Sequence, residues 1–283
     1  MWAMFISQQF DEGSKLILGI LFLALFGMML YYSFRMLEML RVMRHKKPFY
    51  THLYLFKRKL TNKQRRVLEK DFSFYKKLQT KERIYFEHRV ASFIKDKQFI
   101  GRKEFKITDE VQVLISATAV MLTFGFRDFY IGLIDKIIVY PKAFYSTTND
   151  DCHKGEFNPK LKALVLSWED FLEGFEIEND NLNLGIHEFT HAIHLNSLKE
   201  RDVSSTIFKD SFKELAQLLS NNEDLRKELL DSDYFRAYAY TNQFEFLAVL
   251  IEYFIETPEN LKATYPEIYG KIKQMLNFNF NGY

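Results

Sequence analysis

The chain has 283 residues, of which 47% are hydrophobic and 27% charged, with a formal net charge of +2. That composition is globular and excludes a disordered or fibrous protein; the near-neutral balance also excludes the whole-molecule positive field that gathers nucleic acid. The lone cysteine, Cys152, cannot form an internal disulfide, which fits a reducing compartment, and it reads as a passive thiol.

From the N-terminus, a short segment over 1–15 leads into Leu16–Phe34, 19 residues without a charge. At about 1.5 Å per residue, a helix of that length comes close to crossing the ~30 Å hydrocarbon core, and the pattern predicts a transmembrane helix over 16–35. A cleaved signal peptide fits less well. The apolar run is longer than the usual hydrophobic region, the residues before it are mainly acidic (Asp11, Glu12), and no A-x-A site follows. Arg35, Arg41, Arg44, Lys46 and Lys47 follow the span against a single acid, Glu38, while Lys15 alone is basic ahead of it. This excess places the body on the cytoplasmic side of the membrane. Residues 36–62 read as a juxtamembrane linker, with a break at Lys47-Pro48. The locally basic run from Lys57 to Arg66 reads as a solvated or lipid-facing surface in preference to a nucleic-acid site.

The remaining body, 63–283, is expected to be α+β and mostly helical, with a small sheet. Lys63–Leu78 reads as one charged helix. Thr80 is expected to cap a second whose apolar stripe is Phe86, Val90, Phe93 and Ile94 and whose other face is polar, as in a surface helix. Thr108-Asp109-Glu110 opens a third helix through the nearly uncharged Val111–Phe124, expected to be the most buried. Ile131–Tyr140 and Leu161–Ser167 read as strands, and Lys142–Lys160 between them as loop. Helices are then expected around Leu184–Leu195, Ile207–Leu230 and Asn242–Glu256, with a last one after Tyr265.

The chemistry concentrates in His187-Glu188-Phe189-Thr190-His191. HExxH on a helix sets two imidazoles four residues apart on one face, able to address one cation. The glutamate beside the first is then placed to take a proton from the metal's water. The flanking Leu184, Ile186, Ala192, Ile193 and Leu195 make the helix apolar, and three ionisable groups in such a helix are costly unless bound to something. A catalytic zinc needs a third protein ligand and an open position. Glu245 and Glu252 interrupt another apolar helix and share a face two turns apart, so one can be the ligand and the other can orient a ligating histidine. A buried Glu252 paired with Arg236 is the competing role for that residue.

These residues, with Glu245-Phe246-Leu247-Ala248-Val249, Glu252-Tyr253-Phe254, Val139-Tyr140-Pro141, Leu166-Ser167-Trp168 and Pro266-Glu267-Ile268-Tyr269, resemble the Mlc titration factor A (MtfA) family of zinc peptidases. The resemblance covers roughly Lys81 to Phe278. It implies a zincin-like metallopeptidase domain whose catalytic core is similar to that of anthrax lethal factor. It also implies one zinc per chain held by His187, His191 and Glu245, Glu188 as catalytic acid/base, and Tyr238 in the place of an oxyanion-stabilising tyrosine. Peptides or proteins are the implied substrates, cleaved at the cytoplasmic face of a membrane to which the N-terminal helix tethers the enzyme. A strand ending near Leu166-Ser167-Trp168 is expected to hold the substrate as an added strand. The family's namesake sequesters a transcriptional repressor, so the resemblance also offers a rival role, a regulatory binding module with a residual or structural zinc site. Two features depart from the family. His194 stands where an aspartate is usual, as a core histidine or a fourth ligand, and the apolar N-terminal span is foreign to the soluble members.

Overall fold

The structure, a computed structural model, describes residues 12–146, 151–177 and 179–280. The chain divides into two compact units, 1–49 and 50–283, and the division falls inside the segment expected to be linker. Residues 1–11 of the expected N-terminal segment, 147–150 of the expected loop and 281–283 at the end of the expected peptidase domain lie outside the described residues.

The first unit carries one helix, α1 (Glu12–His45), which by length and composition could cross a membrane. In the second, α2 (Asn62–Asp71), α3 (Ser73–Lys77) and α4 (Thr80–Asp96) lead to β1 (Gln98–Gly101), and α5 (Asp109–Leu122) connects β1 to β2 (Lys136–Tyr140). A separate antiparallel hairpin, β3 (Phe144–Ser146) and β4 (Asp151–His153), precedes β5 (Gly155–Asn158) and β6 (Ala163–Ser167). Helices α6 (Trp168–Glu176), α7 (Leu184–Lys199), α8 (Val203–Asn221), α9 (Glu223–Asp231), α10 (Gln243–Glu256), α11 (Pro258–Thr264) and α12 (Pro266–Met275) follow, with a 3-10 turn at Ala237–Thr241 ahead of α10. The expected class, mostly helical α+β with a small sheet, is what the chain adopts.

The sheet runs β1-β2-β6-β5, parallel through the first three strands, with β5 antiparallel to β6. Ile137, Val139, Leu164 and Leu166 are fully buried, and as alternating, register-paired positions they share the one face of the sheet that packs into the core. The segment expected as loop therefore holds three short strands, and β6 is internal, paired on both sides. An incoming peptide cannot pair with it; the edge beside it is β5. The expected charged helix breaks at Phe72, and the helix expected over Ile207–Leu230 breaks at Asn222, whose side chain accepts the Leu225 N–H and starts α9 instead.

Two local devices set the core. Thr108 accepts the Val111 N–H at 3.3 Å and Asp109 and Glu110 occupy the first turn, so α5 starts with its dipole complemented and runs almost entirely buried between α4 and α7. Its C-terminal end is held by Arg89 of α4, which the polar face had suggested would be solvated. Arg89 is fully buried and donates to the carbonyls of Thr123 (2.8 Å), Phe124 (3.1 Å) and Phe126 (2.6 Å), and to that of Thr51 (3.1 Å) and the Tyr54 hydroxyl. With no carboxylate among these partners, the guanidinium is retained by hydrogen bonds to carbonyls that would otherwise be orphaned. Arg89→Leu should cost roughly 3–5 kcal/mol of stability in a denaturant titration, because several buried acceptors lose their donor at once. A loss under about 1 kcal/mol would mean that water replaces the guanidinium.

Candidate metal centre

The N-terminus of α7 is fixed by Asn183. Its side-chain oxygen accepts the Ile186 N–H at 3.0 Å, and its amide donates to the Gly174 carbonyl at 2.7 Å and to Glu256 at 3.2 Å. Gly185 lets this first turn press on α6, since a Cβ there would stand 2.5 Å from the Phe171 ring. Two residues further on, His187 and His191 project from one face of α7, and their Nε2 atoms lie 3.1 Å apart. The facing helix, α10, is capped by Asn242, whose Oδ1 accepts from the N–H groups of Phe244 (2.8 Å) and Glu245 (3.1 Å). That cap sets Glu245 in the first turn, with Oε2 at 2.9 Å from His187 Nε2 and Oε1 at 3.5 Å from His191 Nε2. One donor atom from each of the three residues falls within 4.8 Å of the others.

Glu252, two turns along α10, takes both roles considered for it. Its carboxylate accepts from His187 Nδ1 at 2.6 Å and binds Arg236 at 2.8 and 2.9 Å while fully buried. The bond to Glu252 thereby fixes the ring orientation, with Nε2 turned towards His191 and Glu245. Burial alone would lower the His187 pKa, but Glu245 and Glu252 outweigh it and lift it to about 9. The two imidazoles in turn hold Glu245 well below the usual carboxylate range against its own burial. The pocket thus favours positive charge, and two imidazole nitrogens with one carboxylate oxygen are a donor set suited to a borderline divalent ion.

Glu188 is buried beside this cluster, and burial raises its pKa while the imidazoles oppose the shift. Its position is bounded by the edge strand, for a Cβ on Gly155 of β5 would meet Glu188 Cγ at 2.8 Å. Tyr238, on the 3-10 turn, is half exposed, with its ring centroid 5.9 Å from that of His187. Burial of the hydroxyl and its hydrogen bond to Glu245 push its pKa up to about 12, so it is a proton donor at neutral pH. His187, Glu188, Tyr238, Glu252 and Gly155 line a common cleft of about 420 Å³. His194 lies elsewhere, buried among Phe212 (4.6 Å), Phe244 (5.2 Å) and Phe208 (6.1 Å), with its Nδ1 unpartnered. Burial, then the His191 charge, takes its pKa down to about 4, which fits a neutral core residue and no ligand.

The sequence pattern of the glucose-regulated metallo-peptidase M90 family matches residues 43–277. The chain belongs to this family. Among relatives, an uncharacterized protein of Synechocystis sp. is 28% identical over 239 residues, 78% of this chain and 85% of that one. Mlc titration factor A of Pectobacterium atrosepticum is 27% identical over 199 residues, covering 62% of this chain and 72% of the relative. The protein of that name from Edwardsiella ictaluri is 26% identical over 201 residues, covering 62% and 73%. The expected MtfA assignment is therefore correct, and the chain is a metallopeptidase-family protein whose family implies a bound metal. What sequence reading missed was Gly155 against Glu188 and the Asn183 link between α6, α7 and α10. The second had a visible signal, an Asn three residues before the first amide it caps.

Glu252→Gln removes the charge that orients His187 and leaves Arg236 without its carboxylate. Metal affinity, measured by chelator competition, should fall about 10–100-fold. Unchanged affinity would show that Glu252 serves only the Arg236 ion pair.

Proposed function

We propose that the chain is a membrane-anchored zinc peptidase in which His187, His191 and Glu245 hold the ion and Glu188 is the general base. The observation that supports this most strongly is the convergence of the three donor atoms within 4.8 Å, with Glu188 lining the same cleft as His187. Bound there, zinc would act as a Lewis acid, polarising the scissile carbonyl and acidifying water. Glu188, carrying no other hydrogen-bonding duty among the described contacts of its side chain, takes the proton from the attacking water as the O–C bond forms. It delivers that proton to the leaving amine as the C–N bond breaks. The Tyr238 hydroxyl, protonated at neutral pH, donates to the oxyanion as it develops. Among the described residues β5 has β6 as its one ladder partner. An extended substrate adding to the outer edge of β5 would be led past Glu188, with Gly155 keeping side chains out of the way.

The anchor is α1. None of its apolar window is buried within the protein, and the basic residues that follow it favour a cytoplasmic body. The relatives' name, Mlc titration factor A, supports a second reading in which the chain captures a regulatory protein. Capture of that kind would survive both chelation and Glu188→Gln, whereas peptide cleavage would not.

Glu188→Gln should lower kcat by about 10²–10⁴-fold in a peptide-library assay while zinc content stays at one per chain. Equal cleavage by variant and parent would remove Glu188 from the mechanism. Gly155→Ala, which forces the Glu188 side chain to shift, should reduce kcat by about tenfold or more with metal retained. Full activity in that variant would show that the strand does not constrain the base.

A further inference from the structure

The segment between Thr51 and Leu60 has no regular secondary structure, yet it is tied down at several points. His52 stacks on Tyr85 with centroids 4.8 Å apart, the Tyr54 hydroxyl accepts from buried Arg89, and the Arg58 N–H donates to His88 Nδ1 at 2.8 Å. Inward-facing His52 and Tyr54 alternate with outward-facing Leu53 and Leu55, as in extended backbone. Leu53 is 69% exposed, Leu55 91% and Phe56 90%, the last two more exposed than any other large apolar side chain described. Three exposed cations follow at once, Lys57, Arg58 and Lys59.

A pinned loop that holds three large apolar side chains out into water has a standing hydrophobic cost, and soluble surfaces seldom present such a group beside a cationic cluster without a use for it. We infer that this loop is a membrane-interface foot: Leu53, Leu55 and Phe56 insert among lipid headgroups while Lys57, Arg58 and Lys59 pair with anionic lipid. Both halves of the pattern fit that one occupant, since apolar wedges seek the acyl boundary and lysine and arginine seek the negative surface of the cytoplasmic leaflet. Covalent reach agrees, because the eight residues of chain from His45 to Leu53 extend no further than about 28 Å. The inference rests on the reading of α1 as a membrane helix. The foot would give the peptidase unit a second attachment, so that the cleft meets substrates at a set orientation to the bilayer, and it would act chiefly where anionic lipid is abundant.

The test uses the full chain in nanodiscs of neutral or of neutral plus anionic phospholipid, with Cys152→Ser as background. A fluorophore is placed on Leu53→Cys, on Leu23→Cys within α1, or on Leu198→Cys, whose leucine is exposed on α7. Quenching by a nitroxide carried on the lipid is then read. The label at 23 should be quenched in both discs. The label at 53 should be quenched about twofold or more in anionic discs, less in neutral ones, and lose that quenching when Leu55→Glu and Phe56→Glu are added. The label at 198 should stay unquenched. If 23 is quenched and 53 behaves like 198, the foot does not exist although the anchor does. If 23 escapes the quencher, the membrane reading falls and the foot falls with it. Shielding of 53 from aqueous iodide without lipid quenching would assign the loop to a protein partner and also overturn the proposal.

Discussion

Everything in the site follows from one imidazole held between two carboxylates. His187 gives Nδ1 to Glu252 and Nε2 to Glu245, and those two acids are two turns apart on a single helix face. The ring therefore acts as a rung between α7 and α10, and sliding one helix past the other by a residue would break both contacts. In apolar helices such groups are tolerated only when every polar atom is satisfied, which makes the arrangement a strong selector of helix register. Arg236 completes the set by neutralising the one carboxylate that has no access to water.

Around this rigid pair the neighbouring side chains are held in place by other elements. Glu188 is buried beside the three converging donors and confined by packing, with Gly155 of the edge strand on one side and Leu184 of its own helix nearby. Asn183 does for α7 what Asn242 does for α10, setting the first turn so that His187 and Glu245 point towards each other. The same Asn183 also reaches Gly174 and Glu256, so the orientation of the histidine-bearing helix is shared among three helices.

The parts legible in the sequence were those with local periodicity. HExxH and the pair Glu245 and Glu252 announce a shared face because helical spacing is rigid, and residues that share a face need no tertiary knowledge to be paired. The apolar run Val111–Phe124 is equally plain, as is its Thr108 cap. What stayed hidden depended on distant partners. Strands β3, β4 and β5 are three or four residues long and rich in polar groups, so they carry no alternating pattern, and their ladders define them. Arg89 lies among charged residues and looks solvated, because the carbonyls it serves are more than thirty positions away. Helix α6 was missed although Ser167 accepts the Asp170 N–H, a capping signal obscured by the strand ending at the same serine.

Charge balance explains why the departure at His194 is tolerated. Glu245, Glu188 and Glu252 bring three carboxyl groups to the cluster and Arg236 one guanidinium, an acidic surplus that suits a cation. An additional cation close by would weaken that balance, and a protonated His194 would be such a cation. Its surroundings prevent this, since burial among three phenylalanine rings takes its pKa down to about 4. A neutral imidazole in an aromatic box contributes shape and no field, so His194 occupies this turn of α7 without adding charge beside His187, His191 and Glu245.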